Sequence, residues 1–525
     1  MTMNNNVKVL VPTGVIGSGL RLDIFERALL ERPDVIAMDA GSTDSGPYYL
    51  GTGKTKSTNA VLKAELLALM KARADLGVPL IIGSCGTCGS NAGVDLMRNL
   101  CLEVAAELQQ KVKIAAIYSE QSAATVIQAL EDGRVVPLNP VRSIDPALIE
   151  RCSHIVAAMG VEPFLHALEQ GADIVLAGRA TDTAVLACLP IFRGAPWGAA
   201  WHAGKILECG ALCTTTPTEA MVMAEIDQQG FTLTAIGENA RATPRSVMAH
   251  MLYENSNPHM LVEPGGVLNV EAATYTAISE NSVRVEGSVW VPSEHYTVKL
   301  EGAAATGYQS VVLSVVRGSK YITRFDEWLA YMDDIMRKRI EKILSIVPSD
   351  YDLQFRAIGK NSALGDLENQ LGQPVEIGVL AIVTTPEASR TQDIIALLNP
   401  YMLHLPLQDD KDLPTHAFPL SPASMDRGMA YEFVLNHVIV VADPLAPFRF
   451  DFTTQLSAEP LLAEEAVARM LHGDPHQVKV FRVQALNVVK ITLPRPITQG
   501  ALHDRDMHGA QWGHVLTEVL ARAGV

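Results

Sequence analysis

Short apolar runs alternate with helical patterns along about the first 200 residues. The runs are VKVLVP (7–12), DVIAMDAG (34–41), VPLIIGS (78–84), VKIAAIYSE (112–120), HIVAAMG (154–160) and ADIVLAGRA (172–180). The stretches with helical periodicity that separate them include 60–76, 91–109, 121–131 and 162–170. Continuous apolar strands separated by helices are typical of a parallel sheet covered on both faces. The sequence therefore predicts an open, doubly wound α/β domain, whose ligands bind beyond the carboxyl ends of the strands.

The pattern changes after about residue 217, where strand-like alternation in MVMAEIDQQGFTLTAI and SVRVEGSVWVP predicts an α+β region. Further helices are predicted at 325–345 and near 391–398. The Pro- and Asp-rich segment 404–428 is typical of a linker or an active-site loop. A small C-terminal α+β module follows, with helices at 458–472 and 509–523. The predicted division is 1–217 (α/β, Rossmann-like), 218–424 (α+β) and 425–525 (C-terminal α+β).

Composition and charge argue against several classes of function. The 525 residues are 48% apolar and 19% charged, and Lys+Arg 42 against Asp+Glu 58 gives a net charge of −16. Such a chain repels nucleic acid and anionic membranes, so neither is expected as a partner. No apolar run is long enough to span a membrane, and the N-terminus lacks a signal-peptide pattern. Seven scattered cysteines suit a reducing compartment, so a cytoplasmic location is expected.

A glycine- and hydroxyl-rich segment, MDAGSTDSGPYYLGTGKT (38–55), follows the second predicted strand. Asp39 closes the strand, and Ser42, Asp44 and Tyr48 offer polar groups beyond it. Backbone N–H groups of such a loop can cradle a carboxylate or a phosphate. The spacing does not match a P-loop. The alternative is a long surface turn.

The next strand ends in GSCGTCGSN (83–91), which leads into a helix near Asn91. Gly86 and Thr87 lie where a helix N-terminus attracts anions, which favours substrate binding. The CxxC spacing of Cys85 and Cys88 allows a redox pair, or a zinc site completed by Cys209 and Cys213. The favoured interpretation is an anion-binding turn in which the two cysteines are incidental.

Two further segments carry acid–base groups. In AGRATDTA (177–184), Arg179 can bind a carboxylate and Asp182 can cap the next helix, although the two also suit a structural ion pair. In WHAGKILECGA (201–211), His202, Lys205 and Cys209 share one helical face, with Glu208 beside Lys205. His202, Lys205 and Glu208 are general acid–base candidates; a solvated helix face is the alternative.

Two loops add carboxylates to these candidates. YSEQ (118–121) ends a strand at Glu120, a candidate base or metal ligand. LYENSNPHMLVEPGG (252–266) brings Tyr253, Glu254, His259 and Glu263 into one loop.

The ordered set of motifs MDAGSTDSGPYYLGTG, MGVEPF, AGRATDTA, WHAGKILECGA, LYENSNP, EPGG and YTVKLEGA resembles the acyclic terpene utilisation family over most of 7–400. LPRPITQG…DRDMHGAQWGH resembles the small companion protein encoded beside members of that family, here fused to the chain. The resemblance implies a cytoplasmic catabolic protein that acts on a branched carboxylate or an acyl-CoA, without specifying a reaction. Family members often carry Ala or Gly at the positions of Cys85 and Cys88. The functional positions that the resemblance implies are Asp39, Ser42, Asp44, Tyr48, Arg179, Asp182, His202, Lys205 and Glu208.

These features favour a lyase, hydratase or isomerase that works by acid–base chemistry. No GxGxxG fingerprint supports NAD binding, no GxSxG elbow supports acyl transfer, and no PLP is expected. His202 or Glu208 would move a proton next to a bound carboxylate, with Asp182 as a further acid–base group, while Lys205 or loop amides would stabilise the enolate. A Mg²⁺ or Mn²⁺ ion would suit the oxygen ligands of Asp39, Asp44, Asp182 or Glu120.

The alternative function is a non-catalytic subunit that organises a multienzyme complex through the fused module. An acyl-CoA substrate would require a groove for the pantetheine arm and a basic patch for the phosphates. The apolar strands of the C-terminal module predict a homo-oligomer.

Overall fold

The computed structural model describes residues 6–455 except 141–142, 370–371, 373 and 412, together with the backbone of 478–483 and 486–491. The strands are β1 Val7–Val11, β2 Val35–Asp39, β3 Leu80–Gly83, β4 Val112–Tyr118, β5 Val135–Pro137, β6 Cys152–Ala158, β7 Ile174–Ala177, β8 Met221–Ile226, β9 Gly230–Ile236, β10 Met260–Glu263, β11 Gly266–Asn269, β12 Thr274–Ala277, β13 Ser282–Glu286, β14 Val289–Pro292, β15 Tyr296–Val316, β16 Asp352–Ile358, β17 Ile377–Thr385, β18 Ser424–Val441, β19 Arg449–Gln455, β20 Val478–Val483 and β21 Leu486–Ile491.

The helices cover most of the segments with helical periodicity. They are α1 Leu22–Leu30, α2 Pro47–Thr52, α3 Asn59–Leu76, α4 Asn91–Glu107, α5 Ala123–Glu131, α6 Pro146–Glu150, α7 Glu162–Glu169, α8 Asp182–Phe192, α9 Trp197–Leu207, α10 Pro244–Ala249, α11 Ser319–Thr323, α12 Phe325–Arg339 and α13 Ala388–His404. Short 3₁₀ turns lie at Gly210–Cys213, His250–Leu252, Pro348–Asp350 and Gly365–Leu367, and a π turn at Ile340–Leu344 extends α12.

The predicted parallel sheet forms the centre of the molecule. Five strands pair in parallel in the order β1-β2-β3-β7-β4. Val9 and Val11 pack on one face with residues of α8 and α9, whereas Leu10 and Ile36 pack on the other with residues of α1, α3 and α4. Both faces are buried, so the strands are apolar at nearly every position. The α/β class and the doubly wound core are confirmed.

The sheet is larger than the sequence pattern indicated, and one predicted strand lies elsewhere. Antiparallel strands β8, β9, β13 and β12 extend it beyond β1, and β19 extends it beyond β4, giving ten strands. β6, expected among the parallel strands, instead pairs antiparallel with β15 in a second sheet. A short, mostly apolar run gives the same sequence pattern in a parallel and in an antiparallel sheet. The pattern shows that the strand is buried, but it does not identify the neighbouring strand.

The second sheet has the order β16-β17-β15-β18-β5, and β6 borders the first half of β15. Helices α12 and α13 bury Trp328, Met332, Ile394 and Leu398 against it. β6 follows β4 and α5 along the chain, so it ties this sheet to the parallel one. The N-terminal half of β15 is thereby placed against the loops at the carboxyl ends of the parallel strands.

Hydrogen-bonded sheets cross both predicted domain boundaries. β8 and β9 lie after 217 yet belong to the first sheet, while β18 begins at Ser424 and pairs along most of β15. Beyond Gln455, the hairpin of β20 and β21 is described by its backbone. The predicted helices 458–472 and 509–523 and the DRDMHGAQWGH motif lie outside the described residues. No helix in the described part of the chain is long and apolar enough to cross a membrane.

Candidate active site

Three of the predicted loops meet at the carboxyl edge of the parallel sheet. Asp39 ends β2, Ser84 follows β3 and Arg179 follows β7, and these strands are neighbours. Ser84 Oγ donates to Asp39 Oδ2 at 3.4 Å, and Arg179 Nη1 donates to Ser84 Oγ at 3.1 Å. Parallel strands present their carboxyl ends at one edge, which explains why residues far apart in sequence come together here.

Glycines allow the three loops to pack backbone against backbone. At Gly41, a Cβ atom would lie 2.4 Å from Thr87 Cα, and at Gly89 it would lie 2.1 Å from Arg179 N. Gly89 also has φ +73°, a conformation that favours glycine. The two glycines therefore set the distance between the loops that carry Asp39 and Arg179.

Arg179 binds carboxylates of the chain itself. Its Nε donates to Glu301 Oε2 at 2.9 Å, and its Nη1 lies 3.3 Å from Asp182 Oδ1. Burial opposes the charge, but Glu301, Asp182 and Asp39 outweigh burial and raise the pKa of Arg179. The guanidinium thus positions protein carboxylates, and the sequence-based role as a free anchor for a substrate carboxylate stays a prediction.

Asp39 and Asp182 form a carboxyl pair. Asp39 is buried, and its Oδ1 accepts the backbone N–H groups of Ala40 and Gly41 at 2.7 and 3.2 Å. Burial first, then the charge of Asp182 and a hydrogen bond to it, raise the pKa of Asp39 well above its ordinary value. Two carboxylates in contact favour a state with one shared proton. The Asp182 side chain is 28% exposed, so this member of the pair is open to a ligand.

Glu301 was not predicted as a site residue. Its Oε2 accepts from Arg179, and its Oε1 lies within 3.2 Å of Lys299 Nζ and 3.4 Å of Thr43 Oγ1. Burial raises the pKa of Glu301, but the charges of Arg179 and Lys299 outweigh burial and keep its pKa below the ordinary value. The one signal in the sequence was a glutamate within an otherwise apolar strand run, LEGAAA.

Lys205 and Glu208 form a buried ion pair beside this group, as their spacing on one helix predicted. Lys205 Nζ also donates to the backbone oxygen of Tyr253 at 2.8 Å, and Thr183 Oγ1 donates to Glu208 Oε2 at 3.4 Å. Burial raises the pKa of Glu208 to about 8, although Lys205 opposes the shift. These contacts join α9 to the start of α8.

Glu263 and Glu254 also face the group, although the sequence placed them only in a common loop. Burial raises the pKa of Glu263 to about 7, and its Oε2 accepts no hydrogen bond from the described residues. Burial, followed by the charge of Asp44, raises the pKa of Glu254. Ser42 Oγ donates to Asp44 Oδ2 at 2.7 Å, so the predicted residues of loop 42–44 reach the group through Glu254.

Asp182 is the common neighbour of these groups. Its charge raises the pKa values of Asp39, Glu208, Glu254 and Glu263. We call these five residues, with Arg179 and Lys205, the carboxylate cluster. The cluster has more acids than bases, so any ligand is bound within a negative field.

A cleft of about 460 Å³ is lined by Asp44 and Glu301, which interact with Glu254 and Arg179 of the cluster. Asp44, Lys299 and Glu301 supply charged walls, while Phe433 and Leu435 from β18 supply an apolar wall. A volume of this size, with one apolar side and a few polar groups, is typical of a small-molecule site.

His202 lies outside the cluster. It is fully buried, and its Nδ1 and Nε2 lie 2.7 Å from Ser288 Oγ and 3.0 Å from Tyr275 Oη. Burial lowers the pKa of His202 to about 3. The alternative of a solvated helix face is wrong, because every residue from 198 to 207 is buried. The acid–base role of His202 stays a prediction.

The loop 83–90 is an internal packing element. Ser84, Thr87 and Ser90 are buried, and a Cβ at Gly86 would lie 2.3 Å from Gly93 Cα. Thr87 Oγ1 accepts the N–H of Lys56 at 2.8 Å. These contacts pack the loop against other parts of the protein and give the Thr87 hydroxyl a hydrogen-bond partner. The substrate-binding roles of Gly86 and Thr87 remain predictions.

The N-terminus of α4 binds an anion that belongs to the chain. Asn91 N donates to Glu120 Oε1 at 2.8 Å, and Ser90 Oγ accepts from Gly93 N at 3.2 Å. His154 Nδ1 lies 3.1 Å from the same Glu120 oxygen. Glu120 is therefore engaged here rather than in the carboxylate cluster.

Cys85 and Cys88 pack as small apolar residues. They are 0% and 1% exposed, both are free thiols, and they belong to different apolar clusters. Burial raises the pKa of both thiols, which disfavours thiolate chemistry. They do not join Cys209 and Cys213 in a metal-binding group among the described residues.

Tyr48 and the four predicted metal ligands do not come together in one site. Tyr48 is 41% exposed and makes edge contacts with Tyr49 and Tyr431. Within the described chain, the group of three or more potential ligands that the geometry brings together is Glu208, Cys209 and His250. Asp39, Asp44, Asp182 and Glu120 form no such group there.

Comparison with known families agrees with both resemblances drawn from the sequence. A family model described as acyclic terpene utilisation family protein AtuA matches residues 62–407, and a model for a domain of unknown function (DUF4387) matches residues 449–519. No curated protein and no solved structure matches the chain significantly. Because the first model covers more than half of its residues, the chain belongs to the acyclic terpene utilisation family AtuA.

Proposed function

We propose that this chain is an enzyme of acyclic terpene catabolism that carries out a lyase, hydratase or isomerase reaction by acid–base chemistry. The surroundings of Asp182 support this proposal most strongly. This residue is part-exposed, held by Arg179, paired with buried Asp39 and surrounded by three further carboxyl groups. A part-exposed carboxylate that is held in place beside other titratable groups is suited to accept and return a proton.

The proposed reaction begins with proton abstraction. Asp182 accepts the proton from the carbon next to the acyl carbonyl, and the C–H electron pair moves into the carbonyl to give an enolate. In a lyase or hydratase reaction, the pair returns to expel the group on the next carbon, which leaves with a proton. Glu254, whose pKa burial and Asp44 raise, supplies that proton. In an isomerase reaction, the proton returns to a different carbon.

The cleft indicates the substrate class. Phe433 and Leu435 suit a short branched hydrocarbon, and Lys299 on the neighbouring strand β15 offers an ammonium group. The surplus of carboxylates repels a free carboxylate at the reacting carbon, whereas a thioester carbonyl carries no charge there. Of the two predicted substrates, this favours the acyl-CoA thioester over the free acid.

Lysines near the cleft support the same choice. Lys56 is exposed on the loop that follows α2, and its Nζ lies 3.5 Å from Ser45 Oγ, beside cleft residues Asp44 and Gly46. Lys54 is exposed on the same loop. These two ammonium groups lie where phosphates outside the cleft would be stabilised.

A hydrogen-exchange experiment tests the proposal whichever of the three reaction types the enzyme carries out. The full chain is incubated in D₂O with isovalerate, 3-hydroxyisovalerate and their CoA thioesters, and mass spectrometry follows deuterium at the carbon next to the carbonyl. We expect enzyme-dependent exchange or turnover with a thioester. Asp182→Asn should slow it by about 10²- to 10⁴-fold, the usual contribution of a general base.

The matched control is Asp75→Asn, which removes an exposed aspartate from α3. It should keep the wild-type rate. No exchange or turnover by the wild type with any of the four probes would contradict the proposed function, and so would a wild-type rate in Asp182→Asn.

A further inference from the structure

Three potential metal ligands from two segments of the chain converge at one end of the carboxylate cluster. Glu208 caps the C-terminus of α9, Cys209 follows it, and His250 begins the turn after α10. One carboxylate oxygen, the Cys209 Sγ and one imidazole nitrogen all lie within 4.8 Å of one another. Ligand atoms bound at 2.0–2.3 Å around a tetrahedral ion lie about 3.3–3.8 Å apart, so small movements of the side chains would bring these three atoms onto one ion.

A second observation points to a ligand between these groups. His250 is 6% exposed, and its Nε2 is buried without a hydrogen-bond partner among the described residues. The nearest carboxylate atom, Glu208 Oε1, lies 4.0 Å away. That gap is too long for a hydrogen bond, and it exceeds by about half an ångström the separation of two ligand atoms at the tetrahedral angle around one ion, so small side-chain rotations would close it. A bound ion would satisfy the nitrogen that the protein leaves unpaired.

The surrounding residues hold the ligands in place. The Tyr253 ring stacks on His250 with centroids 5.4 Å apart and 9° between the planes, which fixes the imidazole. A Cβ at Gly14 would lie 2.9 Å from the backbone carbon of Cys209, so the segments that carry these two residues are in close contact there. Lys205 holds Glu208 in the absence of an ion, and it has a second partner in the Tyr253 carbonyl oxygen. The ammonium can therefore keep that partner when Glu208 turns to a metal.

We propose that Glu208, Cys209 and His250 bind a transition-metal dication of the Zn²⁺ class. Thiolate and imidazole ligands select zinc, cobalt and similar ions over Mg²⁺ or Mn²⁺, which prefer oxygen ligands. Binding replaces the thiol proton, which passes to solvent, so the site gains one metal and loses one proton. Three protein ligands leave a fourth position for water or a substrate oxygen. The inference goes beyond the proposed function and does not depend on it, because metal binding is measured without a substrate.

Cobalt titration tests the site. The full chain is stripped with a chelator, and Co²⁺ is added while the thiolate-to-cobalt charge-transfer band is recorded in the near ultraviolet. We expect one Co²⁺ per chain, displaced by Zn²⁺. Cys209→Ser should abolish the band, and His250→Ala should weaken binding by more than about 100-fold, beyond the usual effect of a residue that only supports a ligand.

Matched controls are Cys152→Ser, a partly buried cysteine on β6, and His259→Ala, an exposed histidine in the loop after Tyr253. Both should keep the band and the affinity. Absence of the band in the wild type, or its survival in Cys209→Ser, would overturn the proposal.

X-ray absorption on the zinc-loaded wild type provides a test that does not rely on a variant folding. The proposal requires one sulfur at about 2.3 Å together with nitrogen and oxygen ligands at about 2.0–2.2 Å. A first shell of nitrogen and oxygen alone, or of several sulfurs, would contradict it.

Discussion

At the scale of single residues, burial decides what each ionisable group can do. Asp39 and Glu301 are both buried carboxyls that approach Arg179, yet their pKa values shift in opposite directions. Asp39 faces a second acid, Asp182, whereas Glu301 faces the cations of Arg179 and Lys299. A carboxylate between two cations is a fixed charge, and one beside another carboxylate holds a proton. Glu301 therefore positions Arg179 as a fixed charge, whereas Asp39 belongs to the carboxyl pair of the cluster.

Residue burial also predicts the behaviour of the two loop cysteines. Replacement of Cys85 and Cys88 together by Ala should leave the exchange rate within about twofold of the wild type, because both thiols are buried and their Sγ atoms contact the backbone oxygens of Ile82 and Tyr49. Each replacement should lower the free energy of unfolding by about 1 kcal/mol, as expected when a methyl-sized group is lost from a core. Enzyme assays and urea unfolding measure the two effects. A large loss of activity with a retained fold would support thiol chemistry instead.

At the scale of elements, the site depends on how closely the loops after β2, β3 and β7 pack. Gly89 is in contact with the Arg179 backbone, and Gly41 is in contact with Thr87. Because these contacts join backbones, a side chain at either position cannot be accommodated by a change of rotamer. The position of Arg179, and through it of Asp182 and Glu301, is thus set by the loop backbone.

Two glycine substitutions separate the effect of this backbone contact from the effect of a left-handed backbone conformation. Gly89 and Gly77 have similar φ values, +73° and +68°, but a Cβ at Gly77 meets no atom within 4 Å. Gly77→Ala should lower the free energy of unfolding by about 1–2 kcal/mol, the cost of a left-handed residue. Gly89→Ala should cost at least about 2 kcal/mol more, because the backbone contact adds overpacking. Urea unfolding of both variants measures the difference, and equal losses would show that the contact is unimportant.

The sequence predicted much of this edge and missed the part that comes from the second sheet. Asp39, Arg179 and Asp182 were found because each follows a buried strand, and parallel strands end at one edge. Glu301 was missed because it lies on β15, and alternation shows which residues share a face but not what that face meets. Likewise, the spacing of His202 and Lys205 showed a common helical side, while α9 is buried all round and the two side chains have different partners.

At the scale of the whole molecule, the surplus of acids should make stability depend on pH. Glu263 is buried near Asp182 and Lys205, with the hydroxyls of Thr181 and Thr183 beside it, and burial raises its pKa to about 7. Between its unfolded value near 4.5 and pH 7, the folded state binds more protons than the unfolded state. Stability contributed by Glu263 is therefore present below pH 4.5 and is lost as pH rises to 7.

Substitution of Glu263 reveals this contribution. The wild type should lose up to about 1.4 kcal/mol of unfolding free energy per pH unit through this group between pH 5 and 7. Glu263→Gln should flatten the dependence, whereas Glu271→Gln, an exposed control, should not. Urea unfolding at several pH values gives the slopes, and identical slopes in all three proteins would contradict the assigned shift.

The most direct test of the account is whether Asp39 and Asp182 act as one unit in proton transfer. Exchange rates with the active probe are compared for Asp39→Asn, Asp182→Asn and the double variant, with unfolding curves as the check on folding. The account predicts that Asp182→Asn loses at least about 10²-fold, that Asp39→Asn also loses rate, and that the double variant is no slower than Asp182→Asn, because residues that act as a unit are not additive. Losses that multiply in the double variant, or an Asp182→Asn protein as fast as the wild type, would contradict it.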